Sequence, residues 1–473
     1  MIRNKFTFVL KAVSPIHFGG NQPGELLLDG DDEPFASGNS IGGALRSFLK
    51  RNGSVSGEDI RYYMGEGEPS PEGFTESRIF ISHGSISCKR SELTGGRRNF
   101  PIMEGTAVNP ASGAARLNHK YNRYYLPIGT ELTFTVECDT HNESMEQRFP
   151  FEKLVYIWAR AIEKGELRFG GQKSNGYGRL SVKELTCSEF NFHNPAALDQ
   201  YIFKRHLAVP KDCREEALQL SQPESRPVVA TLSLSGLFPY AVYQAYPDHS
   251  LEGITSKVTG LQRNVQDKYY LPGSSIKGLL RHEMWRFLNR LLHEHEEDET
   301  KCDQLADNLL QEWFGGPEKA GVVVVEDVVM QNPQEMKVLR AKSEEIPLPK
   351  YNRIDRITGG VIDGALKTHN EVGGEALLRL ELHAEANVEA KLFPLIYLLR
   401  RIGSGLLPLG GRTVIGLGEF KGAMTCVHID GHSYDFHNEE LSENEEQTLR
   451  RFYQQFMEYV EERRLAYDNT KGI

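Results

Sequence analysis

The stretch Phe169-Gly170-Gly171-Gln172-Lys173-Ser174-Asn175-Gly176-Tyr177-Gly178-Arg179 returns later as Leu409-Gly410-Gly411-Arg412-Thr413-Val414-Ile415-Gly416-Leu417-Gly418-Glu419. The offset, 410 minus 170, is 240 residues, and each copy holds four glycines in nine positions. Without a Cβ, such a loop lets backbone approach another chain closely and turn several N–H groups toward one anion. A phosphate is the natural guest. Lys173, Arg179 and Arg412 supply positive charge at the rim, and Tyr177 offers a face on which a base or sugar stacks. A tight turn whose glycines serve packing alone is the alternative for one loop. Two copies in register favour the binding reading.

A second repeat lies upstream. Ser37-Gly38-Asn39-Ser40-Ile41-Gly42-Gly43-Ala44-Leu45-Arg46 matches Pro272-Gly273-Ser274-Ser275-Ile276-Lys277-Gly278-Leu279-Leu280-Arg281, an offset of 273 minus 38, or 235. Nearly equal offsets mean duplicated order. Working outward, each copy opens with a β-branched or aromatic strand, 5–13 or 227–235, followed by a helix with apolar residues at helical spacing from Ile41 or Ile276. Middle strands at 78–87 and 321–330 precede polar insertions, then strands at 131–138 and 376–383. A second helix, around Leu154 or Leu395, leads into the glycine loop and a closing strand, 179–184 or 419–426. The order is β-α-β-β-α-β, so the fold class is α+β with two tandem ferredoxin-like, RRM-like domains. The boundaries read from the sequence are 1–193, a linker over 194–226, 227–436, and a charged terminal helix in 437–473.

Length agrees, since 473 residues are too many for one core. The net charge of -10 opposes a uniformly basic nucleic-acid binder. Part of the acid is segregated, as in the run from His293 to Glu299 and in 439–446, so local charge decides. The six cysteines are scattered without CxxC spacing, which predicts a reduced, cytoplasmic protein without a zinc site. No stretch offers the roughly 18 apolar residues of a membrane span.

Three further segments carry chemistry. Ser40 in the first helix start, and Ser274, Ser275 and Lys277 in the second, put hydroxyls, free N–H groups and one lysine where an anion binds; ordinary capping is the alternative. Gly42 stands where Lys277 does, so the first copy grips less through this element. The insertion from Tyr351 to Val361 combines Arg353, Ile354 and Arg356 with a glycine turn, which suits a hairpin with arginines on phosphates and aliphatic side chains between bases. A plain surface hairpin is its alternative. A fainter counterpart runs from Thr106 to Arg116, with Arg97 and Arg98 nearby.

Together the glycine loop before the last strand, the PGSSIKGxLR helix start and the IDRxTG segment resemble the repeat-associated mysterious protein superfamily of CRISPR systems, and within it the tandem backbone subunits of type III, III-D-like, effectors. The resemblance spans roughly 5–185 and 227–430. It implies an RNA-binding subunit of an antiviral defence complex, lying along a guide RNA beside other effector subunits, with each thumb interrupting the guide–target duplex and flipping a base of the target RNA. It further implies an endoribonuclease that cuts the target with Mg2+ or Mn2+ and an acid between the first strand and first helix. Asp29 is the leading candidate in the first copy, with Glu25 and Asp31 beside it, and Asp248 in the second. His17 and His249 are acid–base candidates or structural residues. A catalytically silent backbone, and a metal-independent guide-precursor nuclease using His, Tyr or Lys, are the competing readings.

Overall fold

The computed structural model describes the chain apart from residues 1, 67–74, 89–99, 109–114, 141–147, 204–209, 220–227, 244–245, 248–257, 264–267, 295–297, 317–319, 336–349, 364, 385, 430 and 472–473. Two compact units emerge. One comprises Met1–Met103, Asn122–Lys173 and Tyr177–Pro227, and the other Glu104–Tyr121, Ser174–Gly176 and Val228–Ile473.

In the first unit the principal strands are β1 (Ile2–Ala12), β2 (Gly84–Ser87), β3 (Glu131–Thr140) and β4 (Leu180–Asn191), ordered β2-β3-β1-β4 across the sheet. β1 is central and antiparallel to both neighbours. Alternation puts Phe6, Phe8, Leu10 and Ala12 on its buried face. Phe8 stacks on Phe134 of β3 with ring centroids 4.9 Å apart. Helices α1 (Gly38–Asn52) and α3 (Phe151–Lys164) share this core through Ile41, Leu45, Leu49, Leu154 and Trp158.

The second unit repeats the plan. Strands β5 (Val228–Val242), β6 (Val328–Glu335), β7 (Val372–Ala384) and β8 (Met424–Ile429) run in the order β6-β7-β5-β8. Helices α4 (Gly273–His293) and α6 (Val388–Gly403) share its core. Both units therefore carry the ferredoxin-like sheet expected from the duplicated motifs.

Each copy also holds a helix absent from the order read in the sequence: α2 (Gly57–Met64) and α5 (Glu299–Phe314). These helices explain one duplicated residue. Arg46 donates from Nη2 to the carbonyl of Gly65, 2.7 Å away, and Arg281 donates from Nη1 to the carbonyl of Gly315, 3.3 Å away. Gly65 and Gly315 are the C-caps of α2 and α5, both at positive φ, so the arginine ending each repeated helix start satisfies a carbonyl at the C-terminus of the next helix.

Residues 195–219, inside the expected linker, form helices Pro195–Phe203 and Arg214–Gln219 and a strand, Lys211–Asp212, paired with β4; Cys213 and Ala217 join the first core. The terminal helix α7 (Glu443–Lys471) is part of the second core. Phe452, Phe456, Tyr459 and Val460 recur at helical spacing and are buried there, beneath the charge that dominates its sequence.

Candidate nucleic-acid interface

The two glycine loops share one internal geometry. In the first copy the Gly171 N–H donates to His17 O at 2.8 Å, Gly178 to Pro15 O at 2.8 Å, and Phe169 to Gly178 O at 3.0 Å. In the second, Gly411 donates to Tyr243 O at 2.7 Å, Gly418 to Ala241 O at 2.8 Å, and Leu409 to Gly418 O at 2.8 Å. Each loop is thus docked on the end of its own first strand. A Cβ at Gly170 would stand 2.5 Å from His17 O, one at Gly410 would stand 2.6 Å from Tyr243 O, and at Gly178 and Gly418 it would overlap the carbonyls of Phe169 and Leu409. The missing side chains of these glycines admit the protein's own backbone, and the N–H groups of Gly171, Gly178, Gly411 and Gly418 are bonded there. Gly416 differs. Its φ is +90° and nothing lies within 4 Å of its Cβ position, so close approach from outside is open there.

Side chains at the rim divide similarly. Tyr177 does not present a stacking face: it is 2% exposed, edge-on to Tyr125, and its hydroxyl donates to the Met103 sulfur at 3.4 Å. An aromatic with so large an apolar surface is stabilised more by this pocket than by water. Arg179 lies across Gly165, the left-handed C-cap of α3, where a guanidinium also favours the helix dipole. Lys173 keeps an exposed surface, and partial burial of its ammonium, then the charges of Arg51 and Arg168, lower its pKa. Arg412, with φ +59°, has its guanidinium 4.6 Å from the Tyr351 ring and 5.4 Å from the Tyr243 ring. His369, fully buried, sits edge-on to both tyrosines at 4.9 and 4.6 Å, and the Tyr351 hydroxyl donates to Glu371. This ties the second loop to the base of the insertion.

The helix starts also differ from expectation. Ser37, not Ser40, caps α1, accepting from Ser40 N at 3.1 Å. Pro272, at the N-cap of α4, makes no side-chain capping bond. Instead the Asp327 carboxylate accepts from Gly273 N at 2.8 Å, and burial raises its pKa to about 6. The Gly273 N–H of this helix start is thus bonded within the chain. Lys277, one turn on, has its pKa lowered to about 8 by burial, then by Arg281.

The insertion of the second unit is an ordered hairpin. The Asp355 carboxylate accepts from Ile357 N and Thr358 N, both at 2.8 Å, and those N–H groups lower its pKa. Gly359 has φ +68°, Ile354 bridges to Val361, and Ile362 N donates to Arg353 O at 2.9 Å. The turn holds Ile357 95% exposed, with Ile354 and Val361 also mostly in water and Arg353 and Arg356 exposed beside them. In the first copy, strands Ile102–Val108 and Ala115–Tyr124 form a two-stranded sheet; residues 109–114, Arg97 and Arg98 lie outside the described residues.

Among the candidate acids, Asp29 spends one carboxylate oxygen on its own turn, accepting from Asp31 N and Glu33 N at 2.9 Å each. Asp31 is exposed, Glu25 lines an open cavity, and Asp248 and His249 lie outside the described residues. His17 is a buried structural residue whose Nδ1 lies 2.8 Å from Tyr124 O, and burial lowers its pKa. No group of three or more His, Cys, Asp or Glu side chains meets among the described residues, so they do not build an all-protein cage for Mg2+ or Mn2+. Asp327, Tyr243, Tyr351, Tyr124 and Ile357 were not singled out from the sequence. Only Ile357 carried a signal, being the aliphatic residue next to Arg356.

A sequence model of the RAMP superfamily matches residues 9–181 and 245–421. No curated protein matches the chain. No helix among the described residues is long and apolar enough to cross a membrane.

Proposed function

This chain belongs to the RAMP superfamily of CRISPR-associated, RNA-binding subunits, and on that premise we propose that it is a guide-binding backbone subunit of a type III effector that positions target RNA. One observation carries the reading: an ordered hairpin holds Ile357, next to Arg356, almost wholly in water. Folding gains nothing from an aliphatic side chain left in water, whereas a nucleic-acid duplex offers base faces to cover it.

In this proposal Arg353 and Arg356 contact phosphates flanking a base step, and Ile357, with Ile354 and Val361, fills the space between the bases. The Asp355 turn fixes the wedge before RNA arrives, which lowers the ordering cost of binding. Two copies along one chain occupy two successive intervals of the guide, in a cytoplasmic complex with other effector subunits. The test is nucleotide-resolution probing of target RNA in the assembled complex. Changing Arg353, Ile357 and Arg356 to Ala is expected to retain guide binding and to restore pairing at the interrupted position. An interruption that persists in this variant would reduce the hairpin to a surface feature.

A second reading adds cleavage of the target with Mg2+ or Mn2+. Glu25, on the wall of an open cavity in the segment between the first strand and first helix, is the observation that favours it. A divalent ion would supply charge stabilisation at the phosphate, shared between a loop carboxylate and the RNA.

A further inference from the structure

The first unit contains an open cavity of about 400 Å3 whose walls include Leu26, Phe100 and Tyr124 together with Asn21, Gln22 and Glu25. That volume falls within the roughly 300–1,000 Å3 of small-molecule sites. The wall is preformed. Gly20 N donates to Glu25 O at 2.9 Å, Leu27 N to Phe18 O at 2.8 Å, and Tyr124 N to Gly24 O at 2.8 Å. His17 links the cavity to the glycine loop, because its carbonyl accepts from Gly171 at 2.8 Å while its Nδ1 lies 2.8 Å from Tyr124 O.

We propose that this cavity receives one unstacked nucleobase bearing an exocyclic amine (adenine, cytosine or guanine) from the RNA held by the first copy. The inference rests on the RNA-binding reading and adds a base-selective site to it. A nucleobase has two apolar faces and a polar edge, which matches aromatic and leucine walls combined with amide and carboxylate groups. Asn21 and Gln22 each donate and accept, so they suit any base edge. An ionised Glu25 only accepts, so it selects a base with an exocyclic amine and repels the carbonyl edge of uracil.

The experiment uses the full chain and short oligoribonucleotides, one set carrying a single 2-aminopurine and another differing at one position among A, C, G and U. Wild type is expected to quench the probe and to prefer A, C or G over U. Tyr124→Leu should relieve the quenching and weaken binding roughly tenfold, within the range for losing one stacking partner, with the salt slope unchanged. Glu25→Gln should bind but lose the preference for amine-bearing bases. If Tyr124→Leu lacks a cooperative melting transition, Glu25→Gln and Asn21→Ala, at more exposed positions, carry the test. Wild-type affinity, quenching and base preference in folded variants would overturn the cavity assignment. Failure of wild type to bind any oligonucleotide would instead overturn the RNA-binding reading on which it rests.

Discussion

Lys277 and Asp327 show how the fold adjusts single charges near one helix start. Lys277 titrates near 8 instead of 10.5, so between those values the unfolded chain binds more protons and stability rises with pH; below about 8 this contribution is flat. A phosphate brought beside Lys277 favours the ammonium, so binding takes up a proton when the lysine starts neutral. RNA affinity is therefore expected to fall above pH 8, by at most about tenfold per pH unit, and Lys277→Arg should flatten that dependence. Equal slopes for both proteins in fluorescence anisotropy would remove Lys277 from the interface. Asp327 behaves oppositely: its carboxyl is raised from 3.8 to about 6, so the folded state holds its proton longer and stability falls as pH rises across that window. Asp327→Asn keeps an acceptor for Gly273 N without the buried charge, and its urea midpoint is expected to lose that decline.

Secondary elements are held to one another by arginines of the repeated motifs. Arg46 and Arg281 close the C-termini of α2 and α5, and a charged hydrogen bond of this kind contributes about 1.5–3 kcal/mol. Ala at either position is expected to lower stability by that order, visible as a reduced denaturation midpoint with an unchanged m value. The Arg412–Tyr351–His369 cluster likewise joins the second glycine loop to the hairpin base. Arg412→Ala should speed amide exchange across 351–363 without altering that of β5, whereas Arg412→Lys, which retains a cation over the rings, should slow it again. Uniform acceleration in both segments would show a global loss of stability instead of a released hairpin.

For the whole molecule, duplication makes the functional units separable. The assembled complex with end-labelled target RNA and Mg2+ or Mn2+ is expected to yield metal-dependent products at two positions, one per copy, if the cleaving reading holds; protected but uncut target assigns the silent backbone. Glu25→Gln should remove one product and leave the other. Asp29→Asn, whose amide oxygen can still accept the N–H groups of residues 31 and 33, should cut as wild type does. Loss of a product in Asp29→Asn would return Asp29 to the chemistry.

Repetition and periodicity alone established two copies of a β-α-β-β-α-β order, because glycine spacing and alternating apolar residues are local properties that each copy states twice. The exposed hairpin was legible for the same reason, since Asp355, Thr358 and Gly359 build their turn from neighbours in sequence. Tertiary structure decided which of those residues remain available to a ligand. Tyr177 is consumed by packing on Tyr125 and Met103, the glycines at 170, 178, 410 and 418 by close contact with backbone carbonyls of their own unit, and Asp327 reaches the α4 terminus from 54 residues away. The same chemistry that suits a glycine or a helix start to a phosphate suits it to a carbonyl or carboxylate of its own chain. Only long-range packing determines which partner occupies it.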